Sequence, residues 1–366
     1  MINLQFFPSK RIAFYMVRLF VLRSAAVLVA LVGILMMLDL LGKSGDILAV
    51  PGNGDAELWR YVGLRIPQLV SRFLPFAVLL GTLVTFAGLN QNSEIISMKA
   101  AGISAHQIVA PLILASALIA LGLFAFNERF VTRANATLAA WDDADFHPIA
   151  PESGVHTNVA FRHGDDLVFA DRVSGRNAGV RLAGITIYNR AGGTLRRITT
   201  AQTGAALPTG GWDLRGATIF SVDTGNLQLM AAVRLGADIR PDEFTLAQIN
   251  PDEQDFFQLR GTIADLRTAD RATATLESNL WHKIAGPFST MLMPLLAAVA
   301  AFGLARSGQL MVRAVIGMAL GFAYFVADNF AIAMGNLGAY PPFLAAWGPF
   351  LLFLLVGEAV LIRTEE

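Results

Sequence analysis

Several basic side chains lie inside or beside apolar segments, where a charge is costly unless it binds an anion or reaches water. Arg65 and Arg72 are seven residues apart, and Gln68 falls between them on the same helical face. Arginine binds phosphate oxygens through paired N–H groups, so this face could recognise a multiply anionic lipid. Snorkelling to ordinary phospholipid headgroups is the alternative. The candidate lipid-binding residues are Lys43, Arg60, Arg65, Arg72 and Lys283.

Asp328 is an acidic side chain in the middle of another apolar segment, next to Asn329. A carboxylate in that position is either a hydrogen-bonding group between helices or part of a substrate path. We favour the structural role.

Catalytic signatures are the next candidates, because an enzyme is the main rival class of protein. Gly42, Lys43 and Ser44 resemble the end of a phosphate-binding loop, but Met37 stands where its first glycine is needed. The serine and histidine of the run 102–106 lack the closing glycine of a nucleophile elbow. We therefore predict no catalytic residue.

A cluster of acidic side chains and one histidine could in principle bind a cation. Its spacing matches no helical pair of metal ligands, and polar loops often have this composition. We therefore predict no metal site at Asp142, Asp143, Asp145 and His147.

The composition indicates a membrane protein. Of 366 residues, 54% are hydrophobic and 15% charged, and the mean hydropathy is +0.53, which is too apolar for a soluble globule of this length. The net charge of zero argues against a nucleic-acid partner, and the absence of cysteine excludes disulfides. Lys10 and Arg11 precede an apolar run longer than that of a signal peptide, so we expect a retained first span.

Six apolar stretches reach the length of about 20 residues that a spanning helix needs. With six spans, both termini lie on one side. The positively charged residues on that side place it in the cytoplasm, namely Lys10, Arg11, Lys99, Arg306, Arg313 and Arg363. The predicted spans are Tyr15–Leu41, Leu58–Leu89, Ile108–Phe126, Ile284–Leu304, Met311–Met334 and Phe343–Ile362.

The second span has room for a basic edge at its outer end. Leu58–Leu89 would be about 48 Å long at 1.5 Å per residue, whereas the hydrocarbon core is about 30 Å thick. Its first turns can therefore reach the headgroups.

The polar middle of the chain predicts an all-β, jelly-roll-like domain on the side of the membrane opposite the cytoplasm. Short β-rich runs alternate with turns, as at Val159–Arg162 and Leu167–Val173 around Gly164, and at Gly184–Tyr188 before Ala191–Gly193. Leu259, Ile263 and Leu266 then fit one face of a helix. The predicted domains are an N-terminal membrane half at 1–130, the β-domain at 131–258, a connecting helix at 259–276 and a C-terminal membrane half at 277–366.

A short helix is predicted at 93–104, in the cytoplasmic connection between spans two and three. Asn92 or Ser93 can cap it, Glu94 suits its positive pole, and Gly102 can end it in a left-handed turn. Such a helix could dock in a groove of a cytoplasmic partner, or it could be a simple interfacial connector.

The residues of this helix and of four other segments resemble the lipopolysaccharide-export permeases of the LptF/LptG family. The resemblance covers nearly the whole chain, and the later segments are more similar to the G than to the F subunit. The matching runs are Ser93–Gly102, Asn127–Val131, Gly184–Tyr188, Asn279–Ile284, and Gly321 and Phe322 with Asp328.

This resemblance implies a multi-pass subunit of the bacterial inner membrane, with cytoplasmic termini and a periplasmic β-domain. It implies three kinds of protein partner: a paralogous LptF-like permease, a cytoplasmic LptB-like ATPase dimer and periplasmic LptC- and LptA-like bridge proteins. Lipopolysaccharide is the implied substrate, and ATP and Mg belong to the ATPase, so this chain needs no cofactor. The implied coupling residues are Glu94, Ile95, Met98, Lys99 and Gly102.

The chain departs from the family at the end of span one. G subunits often carry several basic residues there, whereas here Met36 and Gly42 occupy that region and Lys43 remains. We expect Arg65 and Arg72 to compensate in part. An envelope-anchored scaffold, or a membrane enzyme with a periplasmic β-domain, is the alternative function.

Overall fold

The computed structural model describes residues 9–148, 155–163, 165–174, 179–207, 211–235, 250–268, 272–303 and 310–363. The chain divides into two compact units. A membrane unit comprises Met1–Gly45, Asn53–Ala136 and Pro251–Glu366, and a β unit comprises Asp46–Gly52 and Thr137–Asn250. Arg306 and Gly164, which the sequence predictions use, lie outside the described residues.

Six helices of the described chain are long and apolar enough to cross a membrane, which confirms the six predicted spans. The third continues beyond the predicted Phe126 through a π-helical turn at Asn127–Val131, and the fourth ends in a π-helical turn at Val299–Gly303, inside its predicted bounds. The six are α1 (Lys10–Leu48), α2 (Asp55–Gln91), α4 (Ala105–Phe126), α7 (Ala274–Ala298), α8 (Leu310–Asn336) and α9 (Pro342–Arg363).

Three shorter helices complete the helical part of the description. Helix α3 (Glu94–Ala100) joins α2 to α4, and α5 (Thr132–Asp143) continues the chain after the first π turn. Residues of α5 fall in the block predicted to be extended, but its alanines and leucine favour a helix. Helix α6 (Phe256–Thr268) buries Leu259, Ile263 and Leu266, as their spacing predicts.

The bundle is organised around α7 and leaves α1 at its surface. Within their most apolar windows, 72% of the α7 segment is buried but only 11% of α1. The core combines α7 side chains such as Leu292 and Leu296 with Leu79 of α2 and Leu112 of α4. Because lipid tails are as apolar as leucine, this packing depends on close van der Waals contact rather than on water exclusion.

The β unit contains a six-stranded antiparallel sheet in which each strand pairs with the next. Strands β3 and β4 meet at a turn where Gly192 and Gly193 have positive φ, and Arg162 pairs with Leu167 across the first hairpin. The strands are β1 (Val155–His163), β2 (Asp166–Ser174), β3 (Arg181–Ala191), β4 (Thr194–Ala206), β5 (Trp212–Ser221) and β6 (Asn226–Leu235).

One face of this sheet forms a separate hydrophobic core, which includes Val168, Ile185, Ala201 and Leu214. The inserted antiparallel β-domain is therefore confirmed. Sequential pairing makes the described strands a meander, and the crossed connections of a full jelly roll are not among the pairings of the described residues.

Candidate functional site

The start of helix α3 differs from the start that the sequence predicts. Ser93 is the N-cap residue, but its φ is 57° and its side chain makes no capping hydrogen bond. Asn92 does not cap the helix either, because its Nδ2 donates to Glu94 Oε1 at 3.3 Å. The predicted side-chain cap is therefore wrong.

The end of α3 follows the prediction closely. Gly102 has φ +83°, its N–H donates to the carbonyl of Lys99 at 2.9 Å, and the N–H of Ile103 donates to that of Met98 at 3.0 Å. This bond pair closes the helix at Gly102, which follows the C-cap residue Ala101 and is left-handed, a conformation that glycine adopts without strain. Ser104 then caps α4 through a reciprocal bond pair with Gln107.

One face of α3 packs on the bundle and the other is exposed. Ile95 is 5% exposed and Ile96 63%, and Met98 packs against the main core. Glu94 accepts a hydrogen bond from the hydroxyl of Tyr15, on α1, at 3.2 Å. The chain therefore presents an outward surface on α3 whose opposite side contacts α1 and the core.

Lys99 contributes to this arrangement through an aromatic ring. Its Nζ lies 5.1 Å from the centre of the Phe302 ring, a cation–π distance. Phe302 belongs to the π turn that follows α7, so α3 also contacts the C-terminal half of the membrane unit.

Arg65 is held by an acidic partner that the sequence reasoning missed. Its Nη2 donates to Asp39 Oδ1 at 2.9 Å and its Nε to Asp39 Oδ2 at 3.0 Å, so the ion pair is bidentate. The hydroxyl of Tyr61 donates to Asp39 Oδ2 at 2.6 Å, and Arg65 Nη1 donates to Gln68. A carboxylate inside an apolar span needs such a partner, which is the signal that could have identified Asp39.

Arg72 and Lys283, from different halves of the sequence, line one cavity of about 370 Å³ in the membrane unit. The acidic residues Glu128 and Asp252 line the same cavity. Asn127 and Asn135 also line the cavity. Their buried side-chain amide oxygens, Oδ1, accept no hydrogen bond from the described residues. The cavity is therefore of mixed polarity and offers both cations and acceptors to a ligand.

Asp328 lies on the wall of the same cavity, paired with a histidine that the sequence reasoning did not use. His282 Nε2 is 3.0 Å from Asp328 Oδ2, and this contact joins α7 to α8. His282 could have been proposed from its place one residue before Lys283, in a run that matches the family. Lys43 and Arg60 do not line this cavity within the described part of the chain.

The other sequence candidates show no arrangement suited to chemistry. Gly42, Lys43 and Ser44 lie inside the continuous helix α1, so they form no phosphate-binding loop. His147 Nδ1 lies 3.1 Å from the carbonyl oxygens of Ala144 and Asp145. No group of three potential metal ligands occurs among the described residues.

Six helices long and apolar enough to span a membrane, an inserted antiparallel sheet and a cavity of mixed polarity between helices define an integral membrane protein. The family described as "Lipopolysaccharide export system permease LptF/LptG" matches residues 14–363. The chain therefore belongs to this family.

Two relatives identify the more similar branch of the family. The lipopolysaccharide export system permease protein LptG of Escherichia coli K12 is 27% identical over 349 residues, which cover 92% of each chain. LptG of Haemophilus influenzae is 25% identical over 335 residues, which cover 86% of this chain and 89% of the relative. The predicted similarity to G subunits is confirmed. These relatives are permeases rather than enzymes, and together with the six apolar helices they indicate a multi-pass inner-membrane protein.

Proposed function

We propose that this chain is one of two permease subunits of an ATP-driven exporter that extracts lipopolysaccharide from the outer leaflet of the inner membrane. The partners are a paralogous LptF-like permease and a cytoplasmic LptB-like ATPase dimer that hydrolyses ATP with Mg. Family membership over residues 14–363 supports this assignment. The proposed coupling to the ATPase is supported by helix α3, which exposes one face and packs the other on the bundle.

The distribution of basic residues supports the proposed orientation. Lys10 begins α1, Lys99 lies on α3 and Arg363 ends α9, and six spans bring all three to one side of a membrane. We place that side in the cytoplasm. The β unit then belongs to the periplasm, where unpaired edges of a sheet can pair with LptC- or LptA-like bridge proteins.

In the proposed mechanism, closure of the ATPase dimer moves α3 and the bundle follows. Ile95, Met98 and Glu94 are the contacts through which this movement reaches the core and α1. The two permeases approach each other, and an amphiphile whose acyl chains lie between them moves towards the β-domain. Such coupling requires that the ATPase and the lipid each bind one arrangement of the helices more tightly than the other.

Basic residues at the proposed outer end of the bundle would bind the lipid's anionic groups. Arg72 and Lys283 are the strongest candidates because they line the same cavity. Arg65 is engaged by Asp39, so it binds a lipid phosphate only by exchanging partners.

Affinity purification of the full chain in mild detergent tests the assignment. We expect a nucleotide-binding subunit and a second six-span permease to co-purify, and we expect the complex to hydrolyse ATP. A chain that purifies without both partners, and whose loss leaves lipopolysaccharide export unchanged, would support the scaffold alternative instead.

A further inference from the structure

The amino-terminal half of α1 is packed firmly on the bundle. Met16 and Phe20 are fully buried in the main core, and Arg23 Nη1 donates to the carbonyl oxygen of Val84, on α2, at 2.9 Å. One residue further, Ser24 lies so close to α2 that a Cβ at Gly81 would be 2.5 Å from Ser24 Cα. These four residues of the α1–α2 crossing, Arg23, Ser24, Gly81 and Val84, form what we call the amino-terminal contact.

The carboxy-terminal half of α1 exposes more of its apolar side chains, although Val32, Met36 and Ile47 are buried. Met37 is 70% exposed and Leu41 75%, and Val29, Ile34 and Leu38 are exposed as well. Its polar attachment to α2 is centred on Asp39, which binds Tyr61 and Arg65. We call Asp39, Tyr61 and Arg65 the carboxy-terminal contact.

The ligand that Arg65 holds in this contact is a carboxylate with both oxygens engaged. A guanidinium group can donate the same pair of parallel hydrogen bonds to two oxygens of a phosphate. Lys43 lies four residues, about one helical turn, beyond Asp39 on α1, so a second cation is near. A phosphate group could therefore take the place of Asp39 on Arg65 without any change in the hydrogen-bond donors.

We propose that Asp39 occupies on Arg65 the place of a lipid phosphate, and that a phosphorylated headgroup displaces Asp39 and releases the carboxy-terminal half of α1 from α2. The amino-terminal contact stays closed and is the pivot of this movement. The proposal rests on the proposed function, because it assumes a phosphorylated lipid as substrate. It adds that the substrate itself opens one side of the bundle.

The exchange predicts opposite effects for the two partners of the ion pair. The substitution Asp39→Asn removes the competing charge, so the α1 segment should be freer without lipid and lipopolysaccharide should bind about three- to tenfold more tightly. The substitution Arg65→Gln should also free α1 but should weaken lipid binding. A purely structural ion pair would instead give the same loss of binding, or no change, in both variants.

Spin-label distances on the full chain in maltoside detergent micelles, which carry no phosphate, measure the movement. The chain has no cysteine, so Leu38→Cys with Ile66→Cys reports on the carboxy-terminal contact and Leu22→Cys with Val84→Cys on the amino-terminal contact. Added lipopolysaccharide should broaden the first distance distribution and leave the second unchanged. Asp39→Asn should show the broad distribution before lipid is added. Asp46→Asn, the matched control, removes an exposed carboxylate from the same helix, leaves the Asp39–Arg65 pair intact and should keep the response to lipid.

Three outcomes would overturn the exchange. They are an unchanged first distance in the presence of bound lipopolysaccharide, an equal response to lipopolysaccharide stripped of its phosphates, and an equal response to inorganic phosphate alone. The last would identify a site for free phosphate rather than for lipid. If the wild-type chain bound no lipopolysaccharide at all, the proposed function would fail together with this inference. If lipopolysaccharide bound but neither spin-label distance changed, the exchange at Arg65 would be wrong and the proposed function would stand.

Discussion

Charged side chains in the membrane unit are placed beside groups that compensate for them. Arg65 pairs with Asp39 between α2 and α1, and Asp328 pairs with His282 between α8 and α7. An uncompensated charge at the centre of a bilayer costs about 2.5–3.5 kcal/mol on insertion scales. Each of these pairs therefore joins two helices by satisfying a requirement that neither helix meets alone.

Arg72 is the residue at which lipid recognition can be tested without disturbing the Asp39 pair. It lines the cavity with Lys283. We expect Arg72→Glu to reduce photocrosslinking to lipopolysaccharide severalfold, because a carboxylate repels phosphate at close range. The control is Arg260→Glu, an exposed position on α6 outside the cavity lining. Equal crosslinking in both variants would instead favour simple snorkelling at Arg72.

At the scale of the elements, helices α1 and α3 are each attached to the bundle along one side. Helix α3 buries Ile95 and exposes Ile96, while α1 is buried near Phe20 and exposed near Met37. Elements with few buried contacts need less free energy to move. These two helices are therefore the parts of the membrane unit best suited to transmit or to admit a movement.

The α1–α2 crossing depends on the absence of a side chain at Gly81. A larger residue there would collide with the backbone of Ser24, and overpacking of this kind costs about 1–3 kcal/mol. We expect Gly81→Leu to lower the thermal unfolding midpoint of the full chain in detergent. Gly63→Leu, on the same helix with open space at its Cβ, should have little effect. Equal midpoints for the two variants would show that the close approach of α1 and α2 at Gly81 contributes nothing to stability.

At the scale of the whole molecule, α3 gathers contacts from separate parts of the sequence. Glu94 meets Tyr15 of α1, Lys99 meets Phe302 after α7, and Ile95 and Met98 meet the shared core. A displacement of α3 therefore acts on both halves of the membrane unit at once. This is the property that a coupling helix requires.

The substitution Glu94→Lys tests whether this property is used. It removes the bond to Tyr15 and reverses the charge on the surface of α3, so we expect a protein that still inserts but no longer couples ATP hydrolysis to export. Reconstituted lipopolysaccharide release per ATP hydrolysed measures the effect. Gln91→Lys adds a similar charge at the exposed end of α2 and should retain coupling. If the Glu94→Lys variant associated with the ATPase and transported lipopolysaccharide normally, the assignment of α3 as the coupling helix would be wrong.

The sequence by itself predicted most of the elements of this protein. Hydropathy and length predicted six spans, alternation between turns predicted the hairpins around Leu167 and Gly192, and Gly102 predicted the end of α3. These features are local, since each depends on residues close together in the chain. The helical start of the polar block at α5 and the missing cap at Ser93 are the local predictions that the structure corrected.

The tertiary structure alone decided which charged residues meet. Arg65 and Asp39 are 26 positions apart, and His282 and Asp328 are 46 apart. Whether such residues touch depends on the rotation of each helix and on the height at which two helices cross, and hydropathy constrains neither. For the same reason, the cavity shared by Arg72 and Lys283 could not be inferred before the helices were packed together.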